Sequence, residues 1–192
     1  MFTGIIQRVA KGSLVKGKLK LERCWDDLQI GESIAVNGVC LTLTDYDNKF
    51  MYFDVGVETS KVTNLRFESF FNIERALKLG ESISGHFVSG HVDGMIRLIT
   101  KNVVENSLYL TFSTPQERWG VVRKGSIALN GVSLTIANVS IDTFTVQLIP
   151  HTLENTTFKF IKVGSLVNYE IDVLARYVHG IIKKKERMWL DE

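Results

Sequence analysis

The sequence has little cysteine and little proline, no long hydrophobic run and almost no net charge. Two cysteines among 192 residues are too few for a disulfide framework, so we expect Cys24 and Cys40 to be free thiols in a cytoplasmic protein. No stretch approaches the roughly 18 apolar residues of a membrane span, and residues 1–6 lack the basic start of a signal peptide. A net charge of +2 gives no reason to expect nucleic acid or an acidic membrane as a partner.

The chain also lacks a complete nucleotide or metal motif. The segment from Gly12 to Lys18 has the spacing of a phosphate-binding P-loop, but Leu19 follows where that motif needs Ser or Thr. Its flanks are typical of a β-hairpin, whereas a P-loop leads into a helix. No Gly-x-Gly-x-x-Gly fingerprint is present. His86 and His91 have no thiol or carboxylate cluster with zinc spacing beside them. We therefore expect no metal and no cofactor.

An internal repeat dominates what is present. Residues 33–42 return as residues 126–135 with eight of ten positions identical, at a constant offset of 93. A repeat of this length fits a small domain better than a solenoid unit, which predicts a duplicated fold and a paired site. The copies differ where the first has Cys40 and the second has Ser133. This difference predicts two related pockets with unequal chemistry.

Short β-rich runs separated by turn signals fill both halves of the chain. The predicted strands cover residues 19–22, 33–37, 40–44, 50–54, 70–77, 95–100, 107–112, 126–130, 133–137 and 143–148. A short helix is predicted at residues 58–62, and residues 152–157 occupy the equivalent place in the second half. Such a pattern, present twice, predicts an all-β protein of two tandem antiparallel barrels of Greek-key type.

After Asp172 the apolar period changes to 3.6, which predicts a terminal amphipathic helix. Its apolar stripe consists of Leu174, Tyr177, Val178, Ile181 and Ile182. The helix either lies back on its own barrel or joins copies of the chain into an oligomer. The lysines at 183–185 are interpreted as a solvated face.

Cys40, His86 and His91 are the candidate reactive residues. Cys40 follows a predicted turn and is a potential nucleophile. The alternative, a small buried hydrophobic residue, fits Cys24 as well or better. His86 and His91 lie five residues apart in a glycine-punctuated junction between the halves. They are either proton carriers near pH 7 or ordinary surface residues.

Several separate motifs, in order, resemble the riboflavin synthase family over essentially the whole chain. They are the opening residues 1–6, Asn37-Gly38-Val39-Cys40-Leu41-Thr42, Gly85-His86, Ser89-Gly90-His91, Asn130-Gly131-Val132-Ser133-Leu134-Thr135, Leu148-Ile149-Pro150-His151-Thr152-Leu153 and Glu170-Ile171-Asp172. The resemblance implies two six-stranded Greek-key barrels related by a pseudo-twofold duplication, at 1–86 and 87–172. It also implies a trimerisation helix at 173–192 and a homotrimer.

The resemblance implies a transferase that performs the final step of riboflavin biosynthesis. Two molecules of 6,7-dimethyl-8-ribityllumazine exchange a four-carbon unit and give riboflavin and 5-amino-6-ribitylaminouracil. In the family, the productive pair forms between the first barrel of one subunit and the second barrel of its neighbour. No cofactor is needed, since one lumazine supplies what the other loses. Association with lumazine synthase is left open by the sequence.

The family's site residues carry over position by position. Our mechanistic hypothesis on this basis is that Cys40, or a water that it helps to position, adds to the donor ring. Ser33, His86 and His91 are then proton carriers near the acidic C7 methyl group of the acceptor, and Ser133 and Asp172 complete the site from the partner subunit. The first-barrel lumazine is expected to contact Gly4, Ile5, Ile6, Leu41, Thr42, Asp54, Val55, Gly56, Val57, Glu58 and Thr59. The second-barrel lumazine is expected to contact Gly90, His91, Val92, Lys124, Leu134, Thr135, Gln147, Leu148, Ile149, Pro150, His151 and Thr152.

Two other functions are considered. Lumazine-binding antenna proteins share the fold and bind the ligand without converting it, but they lack the thiol and the histidine pair that are present here. A flavin-binding barrel of a reductase would need a companion nucleotide domain, for which the chain has no room. Asn130 replaces the Asp of many members of the resembled family, and Val39 stands where some have a second cysteine. These two differences bear on rate rather than on reaction type.

Overall fold

The structure, a computed structural model, describes the backbone of residues 1–190 and the side chains of residues 1–185. The first half forms a closed antiparallel barrel with the strand order β1-β2-β5-β4-β3-β6. Its elements are β1 (Arg8–Val15), β2 (Lys18–Glu22), β3 (Ser33–Val36), β4 (Val39–Tyr46), β5 (Phe50–Asp54), helix α1 (Val57–Val62), a 3-10 turn (Asn64–Arg66) and β6 (Phe70–Arg75).

The second half repeats this topology in a second closed barrel. Its elements are β7 (Gly94–Val104), β8 (Ser107–Ser113), a 3-10 turn (Arg118–Gly120), β9 (Ser126–Leu129), β10 (Val132–Val139), β11 (Thr143–Leu148), helix α2 (Pro150–Glu154), a 3-10 turn (Thr157–Phe160) and β12 (Leu166–Ile171). Each barrel encloses its own apolar core, built from the inward side chains of its strands. The prediction of two six-stranded antiparallel barrels is confirmed.

Two strands were absent from the predicted set, and in each the alternation of apolar and polar residues is broken. In β1 an inward position is Gly12, where a Cβ atom would collide with Leu21. In β12 five consecutive residues are buried, because one face lines the barrel and the other packs on the first barrel. The hairpin predicted around Gly12 and Lys18 is formed by β1 and β2.

The two barrels are joined by a buried network of asparagine side chains. Asn72 Nδ2 donates to Asn130 O at 2.9 Å, and the pseudo-equivalent Asn168 Nδ2 donates to Asn37 O at 2.9 Å. Asn64 Nδ2 donates to Asn130 Oδ1 at 3.0 Å. Because buried amides are costly when unpaired, this network fixes one relative placement of the barrels.

Two short segments cross between the halves. We call residues 2–6 the first arm and residues 88–92 the second arm. Phe2 and Val88 form an antiparallel bridge, with N···O distances of 2.7 and 3.0 Å. Both side chains are buried in a small apolar cluster that also contains Ala35 of β3 and Ala128 of β9. The crossing therefore lies between the two barrels.

Helix α3 (Val173–Leu190) follows β12 directly. It is held to the second barrel by an ion pair between Arg176 and Asp93 at 2.7 Å and by stacking of His179 on Trp119, with ring centroids 4.3 Å apart. The predicted apolar stripe, from Leu174 to Ile182, remains 52–69% exposed. The terminal helix is confirmed, and most of its stripe is not covered by its own barrel. Among the described residues, no helix is long and apolar enough to cross a membrane.

Candidate functional site

Cys40 marks the first of two equivalent places in the barrels. Asn37 and Gly38 form a tight turn with φ values of 46° and 81°, a conformation that suits Asn-Gly. This turn places Cys40 near the start of β4, half-buried. The Cys40 amide donates to Gly90 O of the second arm at 2.8 Å. A Cβ atom at Gly90 would lie 2.5 Å from that of Cys40, so only glycine permits this approach. We call this place the first half-site.

Ser133 marks the second half-site, built in the same way. The turn at Asn130 and Gly131 has φ values of 46° and 76°. Ser133 near the start of β10 donates its amide to Gly4 O of the first arm at 2.8 Å. A Cβ atom at Gly4 would lie 2.7 Å from that of Ser133. The backbone geometry is thus shared, while a thiol at one half-site is replaced by a hydroxyl at the other.

His86 belongs to the second half-site. Its Nδ1 lies 2.7 Å from Ser133 Oγ, in a hydrogen bond. Burial lowers the pKa of His86 below the ordinary value of 6.5, and the nearby charge of Asp172 opposes this effect. A neutral imidazole at neutral pH can accept a proton, and its neighbour Ser133 can relay one. The structure therefore brings together three predicted residues, His86, Ser133 and Asp172.

The other two candidate proton carriers lie apart from that group. His91, on the second arm, is exposed, and its amide donates to Ser89 Oγ at 3.2 Å. Ser33 begins β3 and is paired with Thr42 of β4, in the first barrel. Asp172 accepts a hydrogen bond from the amide of Leu174 at 2.9 Å and so begins helix α3. The two histidines therefore lie on different segments, His86 beside Ser133 and His91 on the arm that contacts Cys40.

The structure groups the arms differently from the sequence-based expectation. Gly4, Ile5 and Ile6 were assigned to the pocket of Cys40, but Gly4 contacts Ser133 and Ile6 packs on the core of the second barrel. Gly90, His91 and Val92 were assigned to the second barrel, but Gly90 contacts Cys40 and Val92 packs on the first core. The cause is the crossing of the arms at the bridge between Phe2 and Val88.

Most of the remaining predicted contact residues lie where β5 and β11 end and lead into α1 and α2, whereas Leu41, Thr42, Leu134 and Thr135 lie within β4 and β10. Asp54 ends β5 and forms an ion pair with Lys18. The following residues, 55–59, lead into α1, and Val55 is buried with its amide on Gly17 O at 2.8 Å. Residues 147–152 occupy the equivalent position after β11 and in α2, where His151 lines a cleft beside the first arm. Lys124 has a φ of 68° in the turn before β9 and is exposed.

Two buried carboxylates near the half-sites were missed from the sequence. Glu74 of β6 and Glu170 of β12 are each 3% exposed. Each accepts hydrogen bonds from one arm. Both belong to a repeated Asn-x-Glu pattern, Asn72 to Glu74 and Asn168 to Glu170. This second repeat is the signal in the sequence that would have identified them.

Neither the thiols nor the described acidic residues and histidines assemble a metal centre. No group of three or more such side chains that could hold an ion occurs within residues 1–185. Cys24 packs against the first core, and its burial raises its pKa to about 11. That environment suits an inert structural thiol, which matches the interpretation of Cys24 as a small hydrophobic residue.

Comparison with known proteins gives matches over nearly the whole chain. The family model of the lumazine binding domain matches twice, at residues 3–76 and 89–172. A riboflavin synthase from Bacillus subtilis (strain 168) is 38% identical over 96% of this chain and 91% of its own length. One from Chlamydia muridarum (strain MoPn / Nigg) is 40% identical over 92% of each. The chain belongs to the riboflavin synthase family.

The structural comparison agrees with the fold of this family. A crystal structure of LumP complexed with 6,7-dimethyl-8-(1'-D-ribityl) lumazine has a TM-score of 0.76 and covers 88% of this chain and 98% of LumP, at 22% identity. A structure of LumP complexed with riboflavin has a TM-score of 0.77 at 23% identity. At this identity the likeness concerns the fold alone. The riboflavin synthase family is supported instead by the sequence relatives.

Proposed function

We propose that this chain catalyses the dismutation of 6,7-dimethyl-8-ribityllumazine, the final step of riboflavin biosynthesis. The observation that carries this proposal is the near-full-length match to curated riboflavin synthases, at 33–40% identity in bacteria and in Schizosaccharomyces pombe. Two lumazines enter, and a four-carbon unit passes from one to the other. The products are riboflavin and 5-amino-6-ribitylaminouracil.

The reaction balances without an external oxidant or reductant. The donor lumazine loses the four-carbon unit with its hydrogens and becomes the diaminouracil, while the acceptor gains that unit and becomes the flavin. Every atom of the two substrates is found in the two products. A protein that performs this step must hold two like heterocycles, and two half-sites of equal backbone geometry are suited to that task. Such positioning is worth roughly 7 to 11 kcal/mol of barrier.

The unequal chemistry of the half-sites supports a division of roles. In our proposal Cys40, or a water that it positions, adds to the donor ring at the first half-site. At the second half-site, His86 takes a proton from the acidic C7 methyl group of the acceptor, with Ser133 as the adjacent relay. Asp172 stabilises the protonated imidazole, since its charge favours that form. Ser33 and His91 are assigned to proton transfer at the first half-site.

We assign the contact residues to the two half-sites with the arms exchanged, as the structure places these two segments. The second arm joins Cys40, Leu41, Thr42 and residues 54–59 around the donor. The first arm joins Ser133, Leu134, Thr135 and residues 147–152 around the acceptor, with Lys124 at the rim of the same barrel. Backbone groups at these strand ends read the pyrimidinedione ring, and hydroxyl and carboxylate side chains bind the ribityl chain.

We propose that the working assembly is a homotrimer in the cytoplasm. The exposed apolar stripe of α3 supports an association through this helix, because a stripe of this size is unusual on a solvated surface. A neighbour's second half-site would then face the first half-site of each subunit. Domain limits at 1–86, 87–172 and 173–192, and an association with lumazine synthase, stay predictions.

The decisive experiment supplies the purified protein with 6,7-dimethyl-8-ribityllumazine alone. Riboflavin formation is followed by its absorbance, with no cofactor added. We expect one riboflavin and one diaminouracil for every two lumazines consumed. Tight binding of unchanged lumazine would instead favour a non-catalytic antenna protein, the alternative suggested by the LumP fold.

A further inference from the structure

Glu74 and Glu170 are buried acidic residues whose side-chain carboxylates, in the described part of the chain, accept hydrogen bonds only from the arms. Each side chain is 3% exposed, and burial raises the pKa of both. Within residues 1–185, neither forms an ion pair with a basic side chain. A buried carboxylate without a cation is costly, so the surrounding hydrogen bonds must compensate for its desolvation.

The two sets of hydrogen bonds are the same in pattern. Glu74 accepts from Thr3 N at 2.7 Å, Thr3 Oγ1 at 2.8 Å and Gly4 N at 3.0 Å. Glu170 accepts from Ser89 N at 2.6 Å, Ser89 Oγ at 2.7 Å and Gly90 N at 2.9 Å. Three bonds to a single carboxylate leave two adjacent residues of each arm little freedom to move.

The arms carry this restraint across the molecule. Glu74 belongs to the first barrel, but the carbonyl of its partner Gly4 accepts the amide of Ser133 in the second barrel. Glu170 belongs to the second barrel, but the carbonyl of Gly90 accepts the amide of Cys40 in the first. Each carboxylate is therefore linked to the half-site of the opposite barrel through a single arm residue, Gly4 or Gly90.

We propose that Glu74 and Glu170 are positioning residues that act crosswise. Glu170 holds the second arm over Cys40, and Glu74 holds the first arm over Ser133 and the adjacent His86. Their use in catalysis rests on the proposed function, but the crosswise restraint does not. Substitution by glutamine removes acceptor capacity, because the amide nitrogen donates and cannot accept the arm's N–H groups.

The test measures each half-site with its own probe, in a Cys24→Ala background so that Cys40 is the only thiol. Alkylation of Cys40 by iodoacetamide is timed by mass spectrometry, and the pKa of His86 is measured by NMR titration. We expect Glu170→Gln to accelerate Cys40 alkylation about fivefold, as local opening of the arm exposes the thiol. We expect Glu74→Gln to leave that rate unchanged and to shift the His86 titration instead.

Matched variants separate positioning from general damage. Glu22→Gln, at an exposed position of β2, serves as the control and leaves both probes unchanged. If a glutamine variant fails to fold, Ser89→Ala and Thr3→Val each remove one hydrogen bond from the same carboxylates, together with the longer bond that the hydroxyl accepts from the amide of His91 or Ile5 within the arm. We expect these two variants to give the same crosswise pattern, with smaller changes in the alkylation rate and in the titration.

The possible results are distinct. A variant that changes both the alkylation rate of Cys40 and the titration of His86 overturns the crosswise assignment. So does a variant that changes only the probe at the half-site of its own barrel. Two variants that move neither probe show that the carboxylates do not hold the arms. Retention of the crosswise pattern in a protein that fails to convert lumazine leaves this inference standing while the proposed function falls. In an active enzyme, kcat falls in both glutamine variants more than KM rises.

Discussion

Cys40 and Ser133 occupy the same position in two copies of one backbone, and they differ by a single atom type. The tight turns before them and the arm carbonyls that accept their amides are equivalent. Whatever distinguishes the two half-sites therefore comes from side chains. The first half-site has the thiol of Cys40, while the second has the hydroxyl of Ser133 with the imidazole of His86 as its partner.

Replacement of Cys40 by serine makes the two half-sites alike at this position. We expect Cys40→Ser to reduce kcat by about tenfold to a thousandfold, because a hydroxyl is a much weaker nucleophile than a thiolate. The measurement is riboflavin formation from lumazine, with the assembly state checked in parallel. A correctly assembled Cys40→Ser protein with full turnover would remove the thiol from the mechanism.

The pH dependence of stability at His86 has a defined sign. Burial lowers its pKa in the folded state, so the unfolded chain takes up the proton first as the pH falls. The stability associated with neutral His86 is present above the ordinary histidine value and is lost as the pH falls through the folded pKa. Urea unfolding at a series of pH values should show this slope. The His86→Gln variant should lack it, and equal slopes in both proteins would contradict the assignment.

At the residue scale, the sequence predicted the equivalence of the two half-sites but not which arm belongs to which; the roles of the reactive residues stay predictions. The repeat identified Cys40 and Ser133 as equivalent, and the junction drew attention to His86. The exchange of the arms was not predictable, because it depends on the bridge between Phe2 and Val88 and not on sequence order. Glu74 was missed because a glutamate in a strand is usually solvated.

At the scale of elements, the hairpin turns do more than reverse the chain. Gly38 and Gly131 approach each other across the junction of the barrels, and a Cβ atom at Gly38 would lie 2.8 Å from Gly131 N. Two turns of the same type thus serve as contact surfaces. Strand β12 shows why this junction escaped sequence analysis, since burial on both faces removed the alternation that marks a strand.

The Gly38→Ala substitution tests this contact. Gly31→Ala is the control, because Gly31 also has a positive φ but has open space around it. Gly38 has a φ of 81° and Gly31 one of 93°, but nothing lies within 4 Å of a Cβ atom at Gly31. We expect Gly31→Ala to cost about 1 to 2 kcal/mol of unfolding free energy from φ alone.

Gly38→Ala should cost about 2 kcal/mol more than that, because backbone atoms of the second barrel must also move. Chemical denaturation of the two variants gives the comparison. Equal losses in the two variants would show that the barrels do not press on each other here.

At the scale of the molecule, the two barrels and helix α3 differ in how they are held. The barrels share the buried asparagine network, in which Asn72 donates to the carbonyl of Asn130 and the pseudo-equivalent Asn168 donates to the carbonyl of Asn37. Helix α3 is held to the second barrel by the contacts of Arg176 and His179. Its stripe remains available to other copies of the chain.

A charge in the stripe tests whether copies associate there. Ile181 is 68% exposed on α3, and Ile141, 83% exposed in the turn between β10 and β11, is the matched control. We expect Ile181→Lys to convert a trimer into monomers in analytical ultracentrifugation, because a lysine cannot be buried unpaired in an apolar contact. Ile141→Lys should leave the trimer intact. Monomers of the unaltered protein would exclude assembly through this helix.

The exchange of the arms has a consequence for anyone who recombines this chain with a relative. In a chimera joined at the boundary between the repeats, each arm would come from the parent that did not supply the barrel on which that arm packs. Both binding places would then be hybrids, even though each barrel came whole from one parent. Grafting a substrate preference intact requires moving the arm of one repeat together with the barrel of the other.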